Sequence, residues 1–428
     1  MKLYYAYKKQ FSILFLGILL IIVPIFFSYA QSVEELKKQI DSHNSIIADL
    51  ENKNKEIQRQ LDDLSKQKNS LNTALKQLDL TKKKLMSDIS ITENKIQKKD
   101  LEIKELSFQI GTKEDSISRN LNAINLEIRN INEIEQDSII EKILSSDKIS
   151  NTWNDIDNMA TVRDSIRAHI VELNAVKGQL EDTRQITTDA KQELVSLKSE
   201  LADQKKIVDQ NTKEKKKLLT QTKNSEALYQ KNLKANNAKK DTFEKEVEEY
   251  ESQLKFILDP SSLPGKGVLS WPLDNIHITQ LFGVTKDSKR LYASGSHSGV
   301  DFRAAVGTPV KAVADGIVIG TGNTDITCPY TSFGKFIFIK HNNGLSTTYG
   351  HLSLIKVNEG QKVKRGDIIG YSGNTGHTTG PHLHLTVYAS EAAEMIIRPS
   401  TTCPGKTYRM PIAPTNAYLD PMYYLPKL

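Results

Sequence analysis

Asp259-Pro260-Ser261-Ser262-Leu263-Pro264-Gly265 is where one kind of sequence stops and another begins. Before it, the chain holds no proline after Pro24, and between Gln31 and Leu258 its only glycines are Gly111 and Gly178. After it come ten of the 13 prolines and short β-branched or aromatic runs punctuated by Gly, Asn and Asp. A chain of 428 residues exceeds one ordinary domain, and this turn-rich stretch is the natural boundary between two architectures.

N-terminal to the boundary, Leu36, Ile40, Ile47, Leu50, Ile57, Leu61, Leu64, Leu71, Leu75, Leu78, Leu85 and Ile89 keep one heptad register, with charged and amide residues elsewhere. Sustained spacing of four and three predicts a coiled coil. A second helical stretch is expected from about Val162 to Leu258, with Leu173, Leu180, Leu194, Leu197, Leu201 and Leu218 on its seams. Between the two, Leu144-Ser-Ser-Asp-Lys-Ile-Ser-Asn-Thr-Trp153 suits a chain reversal near 144–160. The expectation is an antiparallel helical hairpin, a thin arm with little room for a catalytic pocket. His43 and His169 within it are read as structural.

At the start of the chain, Lys2, Lys8 and Lys9 precede an apolar run from Phe11 to Phe27, followed by Ser28-Tyr29-Ala30-Gln31. A basic flank, an apolar segment and small residues three and one before a cut after Ala30 predict a signal peptide over 1–30. Export across the inner membrane to the periplasm or cell envelope follows as an expectation. The net charge of +6 is spread among interleaved acidic and basic residues, which excludes a nucleic-acid stripe.

Beyond the boundary, strands are predicted at Val310–Val313, Gly316–Gly320, Lys335–Lys340, Ser346–Tyr349, Asp367–Tyr371 and Leu383–Tyr388, a mainly β domain over 267–428 joined by a linker at 259–266. The fold class expected is therefore α+β by segregated domains. Six of the nine histidines fall between His297 and His384. Three pieces hold most of them: Gly295-Ser-His297-Ser-Gly299-Val-Asp301-Phe, Thr348-Tyr-Gly-His351-Leu-Ser, and Thr379-Gly-Pro-His382-Leu-His384. On a strand, residues two apart share a face, so His382 and His384 point the same way. Two histidines, one carboxylate and an open position suit a hydrolytic zinc, which activates water and polarises a scissile carbonyl.

In this order and spacing the three pieces resemble the LytM/lysostaphin-type zinc peptidases of family M23. The likeness extends through Phe282-Gly283, Gly307-Thr-Pro-Val310, Ala314-Asp-Gly316, Gly366-Asp367 and Gly373-Asn-Thr-Gly376. The resemblance implies that His297, Asp301 and His384 hold Zn2+ and that His351 and His382 are catalytic, without dividing the duties of base and oxyanion stabiliser between them. It implies a zinc metalloendopeptidase acting on peptidoglycan stem peptides or cross-links. His341, His377 and His277 receive no catalytic role.

Three features depart from the family pattern. Leu385-Thr386 replaces the more usual aromatic-acidic pair. Extra loops around Gly322–Phe333 and Ser390–Pro414 carry Cys328 and Cys403, the two cysteines of the chain. In an exported protein a disulfide joining the loops is reasonable. The whole arrangement of leader, coiled coil and C-terminal domain also resembles EnvC/PcsB-type envelope proteins. That implies an alternative, a latent or non-enzymatic activator of murein amidases whose coiled coil docks on an FtsEX-like membrane complex. Filled ligand positions favour the enzyme.

Overall fold

The computed structural model describes residues 34–64, 70–134, 149–254, 261, 263–285, 288 and 295–428. The expected leader over 1–30 lies outside these residues, as do 135–148, the first part of the expected reversal, and 255–260 and 262 at the boundary. Among the described residues no helix is long and apolar enough to cross a membrane. The chain forms two compact units, one from residues up to Asp49 with Ile91–Leu201, the other from Leu50–Ser90 with Ala202–Leu428.

Four long helices carry the N-terminal region: α1 (residues 34–64), α2 (Leu71–Ile134), α3 (Ile149–Thr222) and α4 (Glu226–Gln253). A sequence without proline and with almost no glycine lets each run uninterrupted for many turns. In the first unit, α2 and α3 run antiparallel. Lys99 meets Glu193 (2.8 Å), Lys113 donates to Thr183 (2.9 Å), Arg184 pairs with Glu114 (2.9 Å), and Ser165 donates to Glu127 (2.5 Å). Partner numbers fall along α3 as they rise along α2. Leu101, Leu173 and Leu180 are buried on the seam. His43 and His169 make inter-helix hydrogen bonds, to Asn94 (2.7 Å) and Asn120 (3.0 Å), in line with a structural role.

In the second unit the α3 helix ends where Lys223 and Asn224 adopt left-handed φ values of 48° and 57°, and Ser225 caps the first turn of α4. This break divides the expected single helix into α3 and α4. The β domain contains β1 (Ile278–Gln280), β2 (Val300–Arg303), β3 (Pro309–Lys311), β4 (Gly316–Asn323), β5 (Lys335–His341), β6 (Leu345–Gly350), β7 (Leu352–Ile355), β8 (Lys362–Val363), β9 (Ile368–Ser372), β10 (His382–Ala389), β11 (Glu394–Pro399), β12 (Thr407–Ile412) and β13 (Tyr418–Leu419), closing with α5 (Pro421–Tyr424). The main sheet is ordered β1-β2-β10-β6-β5-β4-β8, with β13 on β10; β3-β9-β7 form a second sheet and β11-β12 a hairpin, every pairing antiparallel. Period-two alternation sends Val300, Phe302, Leu383, Leu385 and Val387 into the core with Ile337, Ile339 and Val310.

Helix α4 is seated on the β11–β12 hairpin. Phe243, fully buried, meets the Tyr408 ring edge-on at 5.3 Å, in a cluster that includes Cys328, Phe333 and Met410. The sulfurs of Cys328 and Cys403 are bonded, with Cα atoms 5.8 Å apart. Glu246 accepts hydrogen bonds from Ser400, Thr401 and Thr402, and Glu251 accepts from Tyr418.

Burial pushes the Glu251 carboxyl up to about 7 against the opposing hydrogen bonds from Tyr418 and Ala413. A carboxyl raised on folding binds its proton more tightly in the folded chain. Its contribution is fully present below the unfolded value of about 4.5 and is lost as pH rises through about 7. Glu251→Gln is therefore expected to remove up to about 3 kcal/mol of the wild-type fall in stability between pH 5 and pH 8. Thermal melts of both proteins at the two pH values check this; equal slopes would refute it.

Candidate active site

Strands β2 and β10 lie side by side with Asp301 opposite His384 and Arg303 opposite His382. Since Val300, Phe302 and Leu383 take the core face, Asp301, His384 and His382 stand together on the other. His297 arrives on the segment just before β2, tied to Gly283 by reciprocal backbone hydrogen bonds of 2.8 and 3.0 Å. Gly299 lies between them, where a Cβ would sit 2.4 Å from the Leu385 carbonyl oxygen and 2.9 Å from the His384 ring. Only glycine lets this turn press against β10.

Three ligand-type atoms converge. His384 Nδ1 is 2.9 Å from Asp301 Oδ1, His297 Nε2 is 3.2 Å from the same oxygen, and the two histidine nitrogens are 3.1 Å apart. A tetrahedral zinc with bonds of about 2.0 to 2.1 Å separates its ligand atoms by roughly 3.3 to 3.4 Å. The triangle fits such an ion, and these three residues are the group among the described residues able to hold one. All three are buried.

Each histidine is oriented from behind. His297 Nδ1 faces the Leu281 carbonyl (3.0 Å), and His384 Nε2 faces the Thr386 hydroxyl (2.8 Å). With those nitrogens donating their N–H, the lone pairs of His297 Nε2 and His384 Nδ1 point into the triangle, the arrangement that fixes a metal-binding tautomer. Thr386, which the sequence presents only as a departure from the family pattern, is therefore part of the site's support.

His351 and His382 flank the triangle with ring centroids 4.5 Å apart. His351 Nδ1 faces the Thr375 carbonyl (2.9 Å) and His382 Nδ1 the Gly380 carbonyl (2.8 Å), which leaves Nε2 of both rings free of those carbonyls. His382 Nε2 is 3.6 Å from Asp301 Oδ1. His351 sits at the corner between β6 and β7 with φ 61°, a left-handed conformation that a non-glycine residue holds only when its surroundings impose it. Its N–H donates to Phe333 O at 2.7 Å.

Burial, followed by the neighbouring His382 and His384, drives the His351 imidazole well below its usual range, and burial brings His384 to about 4. Burial alone would raise Asp301, but the surrounding imidazoles outweigh it and hold the carboxyl well below its ordinary value. A neutral His384 beside an ionised Asp301 is the protonation state that metal binding requires of these two groups.

Residues 295–395 match the sequence profile of Peptidase family M23. This segment is an M23 peptidase domain. Over 88 residues the chain is 51% identical to the Peptidoglycan DD-endopeptidase ShyA of Vibrio cholerae, covering 21% of this chain and 19% of that protein. Over 92 residues it is 45% identical to the Glycyl-glycine endopeptidase ALE-1 of Staphylococcus capitis, covering 21% of this chain and 24% of the other. These matches span a quarter or less of the relatives' own length. A zinc containing peptidase from Vibrio cholerae shares 30% identity over 38% of this chain and 41% of that one, with a TM-score of 0.27.

The remaining histidines of the M23 domain region stand apart from the triangle. His341, buried on β5, bonds the Thr347 hydroxyl (2.8 Å), and burial lowers it to about 4. His377 pairs with Glu244 of α4 at 2.7 Å. His277 contributes its backbone carbonyl to Arg303 N–H (2.8 Å).

Proposed function

We propose that the chain is a zinc metalloendopeptidase that hydrolyses peptide bonds in peptidoglycan stem peptides or cross-links, exported to the periplasm or cell envelope. The observation that carries this reading is the buried His297–Asp301–His384 triangle with two further imidazoles, His351 and His382, beside it. His297, Asp301 and His384 would hold the ion. Bound there, zinc supplies activation of water and polarisation of the scissile carbonyl.

The protein's own groups do the rest. Leu281 O and Thr386 Oγ1 lock the ligand rings, and Thr375 O and Gly380 O lock the flanking pair. One of His351 and His382 takes up at Nε2 the proton released on attack, and the other donates Nε2–H to the developing oxyanion from a ring protonated at both nitrogens, since each Nδ1–H is committed to a carbonyl. The names of the relatives, a DD-endopeptidase and a glycyl-glycine endopeptidase, support cell-wall peptides as substrate but differ in the bond they specify.

The test is zinc-dependent release of soluble fragments from purified peptidoglycan by the wild-type chain and by His384→Ala. Release by the first and none by the second is expected, and mass spectrometry of the fragments names the bond. No release by a folded, zinc-loaded wild type would replace this reading with that of an activator of murein amidases.

A further inference from the structure

Arg303 takes no part in the hydrolytic chemistry described above, yet it stands on the same strand as Asp301. Along β2, Val300 and Phe302 are fully buried in the core, which puts Asp301 and Arg303 on the opposite, catalytic face. In register, Asp301 faces His384 and Arg303 faces His382. Directly opposed residues on neighbouring strands have Cβ atoms only about 4.5 to 5.5 Å apart. A guanidinium thus roots one strand step beyond a metal-ligand position and across from a catalytic histidine. The main chain there is fixed, because Arg303 N–H donates to His277 O at 2.8 Å. The Arg303 side chain is 42% exposed. Gln280, paired with Asp301 on β1, adds a second donor: its Nε2 is buried with no acceptor among the described residues.

The structure also shows what such a group binds. Arg303 Nη1 donates to Asp62 Oδ2 of α1 at 3.1 Å, a carboxylate brought from 241 residues away in the sequence. A planar guanidinium beside a peptidase centre suits a carboxylate through charge-assisted hydrogen bonds. We propose that Arg303 is the centre of a carboxylate-binding subsite next to the scissile bond, and that Asp62 occupies it in place of substrate. The ligand class is a peptide with a free carboxylate close to the cleaved bond, either the C-terminal carboxylate or the side-chain carboxylate of a diamino acid. The inference rests on the hydrolase reading and assigns it a substrate preference: uncharged peptides are poorer substrates because they bring no carboxylate to replace Asp62 on Arg303.

The test uses the full chain and three synthetic stem peptides: one with both carboxylates, one amidated at the C-terminus, one amidated on the diamino-acid side chain. The amide that weakens binding identifies the source. Arg303→Ala is expected to raise KM for the doubly charged peptide by about 10- to 100-fold, with kcat within about threefold, and to erase discrimination between charged and amidated peptides. Arg303→Lys restores part of the preference. Asp62→Asn lowers KM for the charged peptide and leaves kcat as it was. A merely structural Arg303 would instead lower kcat alike on all three peptides, and that result, or an unchanged preference in Arg303→Ala, overturns the proposal.

Binding of the same peptides, fluorescently labelled, to His351→Ala reads the subsite without hydrolysis. Carboxylate-selective binding that Arg303→Ala removes, in a protein whose wild type cuts nothing, would retain the subsite and discard the hydrolase. Binding indifferent to amidation would discard the subsite.

Discussion

Replacement of His351 by alanine is expected to cut turnover on peptidoglycan by about 10²- to 10⁴-fold while the protein keeps its zinc. His351 lies outside the triangle of His297, Asp301 and His384, so its loss removes a proton-handling group and not a ligand. Its surroundings are built for position. The ring is held through Nδ1 by Thr375 O at 2.9 Å, the N–H by Phe333 O at 2.7 Å, and the backbone stays left-handed at φ 61°. Strain of this kind, of order 1 to 3 kcal/mol, persists only where the surrounding structure over-determines it. His384→Ala differs in kind, since it opens the triangle and should lose metal and activity together. Zinc content after dialysis, measured beside the rate of fragment release, separates the two variants. Loss of zinc from His351→Ala would place that residue among the ligands. Full activity would mean that hydrolysis does not use it.

The parts of this site that could be read from sequence are those set by short-range spacing. His382 and His384, two apart, share a strand face wherever the strand lies, and the turn at Gly299 brings His297 back onto Asp301. The helices were legible for a similar reason, because heptad repeats and missing prolines are local signals. What escaped is what no side-chain pattern records. Leu281, Phe333, Thr375 and Gly380 orient the histidines through backbone carbonyls, which every residue possesses. Thr386 reads as a departure, although its hydroxyl offers His384 Nε2 an acceptor as a carboxylate can. The β11–β12 hairpin sits inside what reads as an extra loop, its strands masked by neighbouring Pro and Ser-Thr-Thr punctuation. The Arg303–Asp62 pair joins residues too distant in sequence for any spacing rule.

Reduction of the Cys328–Cys403 bond is expected to lower stability by about 4 kcal/mol, the chain-entropy value for a loop of this size, and to lower kcat by about tenfold in protein that is still folded. The bond closes a loop across a sequence separation of 75 residues. Its buried Cys328 lies in the cluster of Phe243, Phe333 and Tyr408. From Cys328 the chain runs within a few residues to Phe333, whose carbonyl holds His351. The same loop is sewn to the segment bearing Thr375. Asp325 accepts from Gly376 N–H at 2.9 Å, His377 N–H donates to Ser332 O at 2.8 Å, and Lys335 N–H donates to the Thr375 hydroxyl at 2.9 Å. Gly334 and Gly376 press so closely that a Cβ on either would lie 2.2 to 2.3 Å from the other's backbone. Both carbonyls that hold His351 therefore belong to one stapled assembly, and slack introduced at the staple reaches the imidazole through two routes. Rates measured well below the melting temperature of the reduced protein, with Cys328→Ser/Cys403→Ser as a reductant-free control, isolate this effect from unfolding. A stability loss with unchanged kcat would show that the hydrogen bonds alone keep His351 in place, making the disulfide a stabiliser of the hairpin and not a support of catalysis.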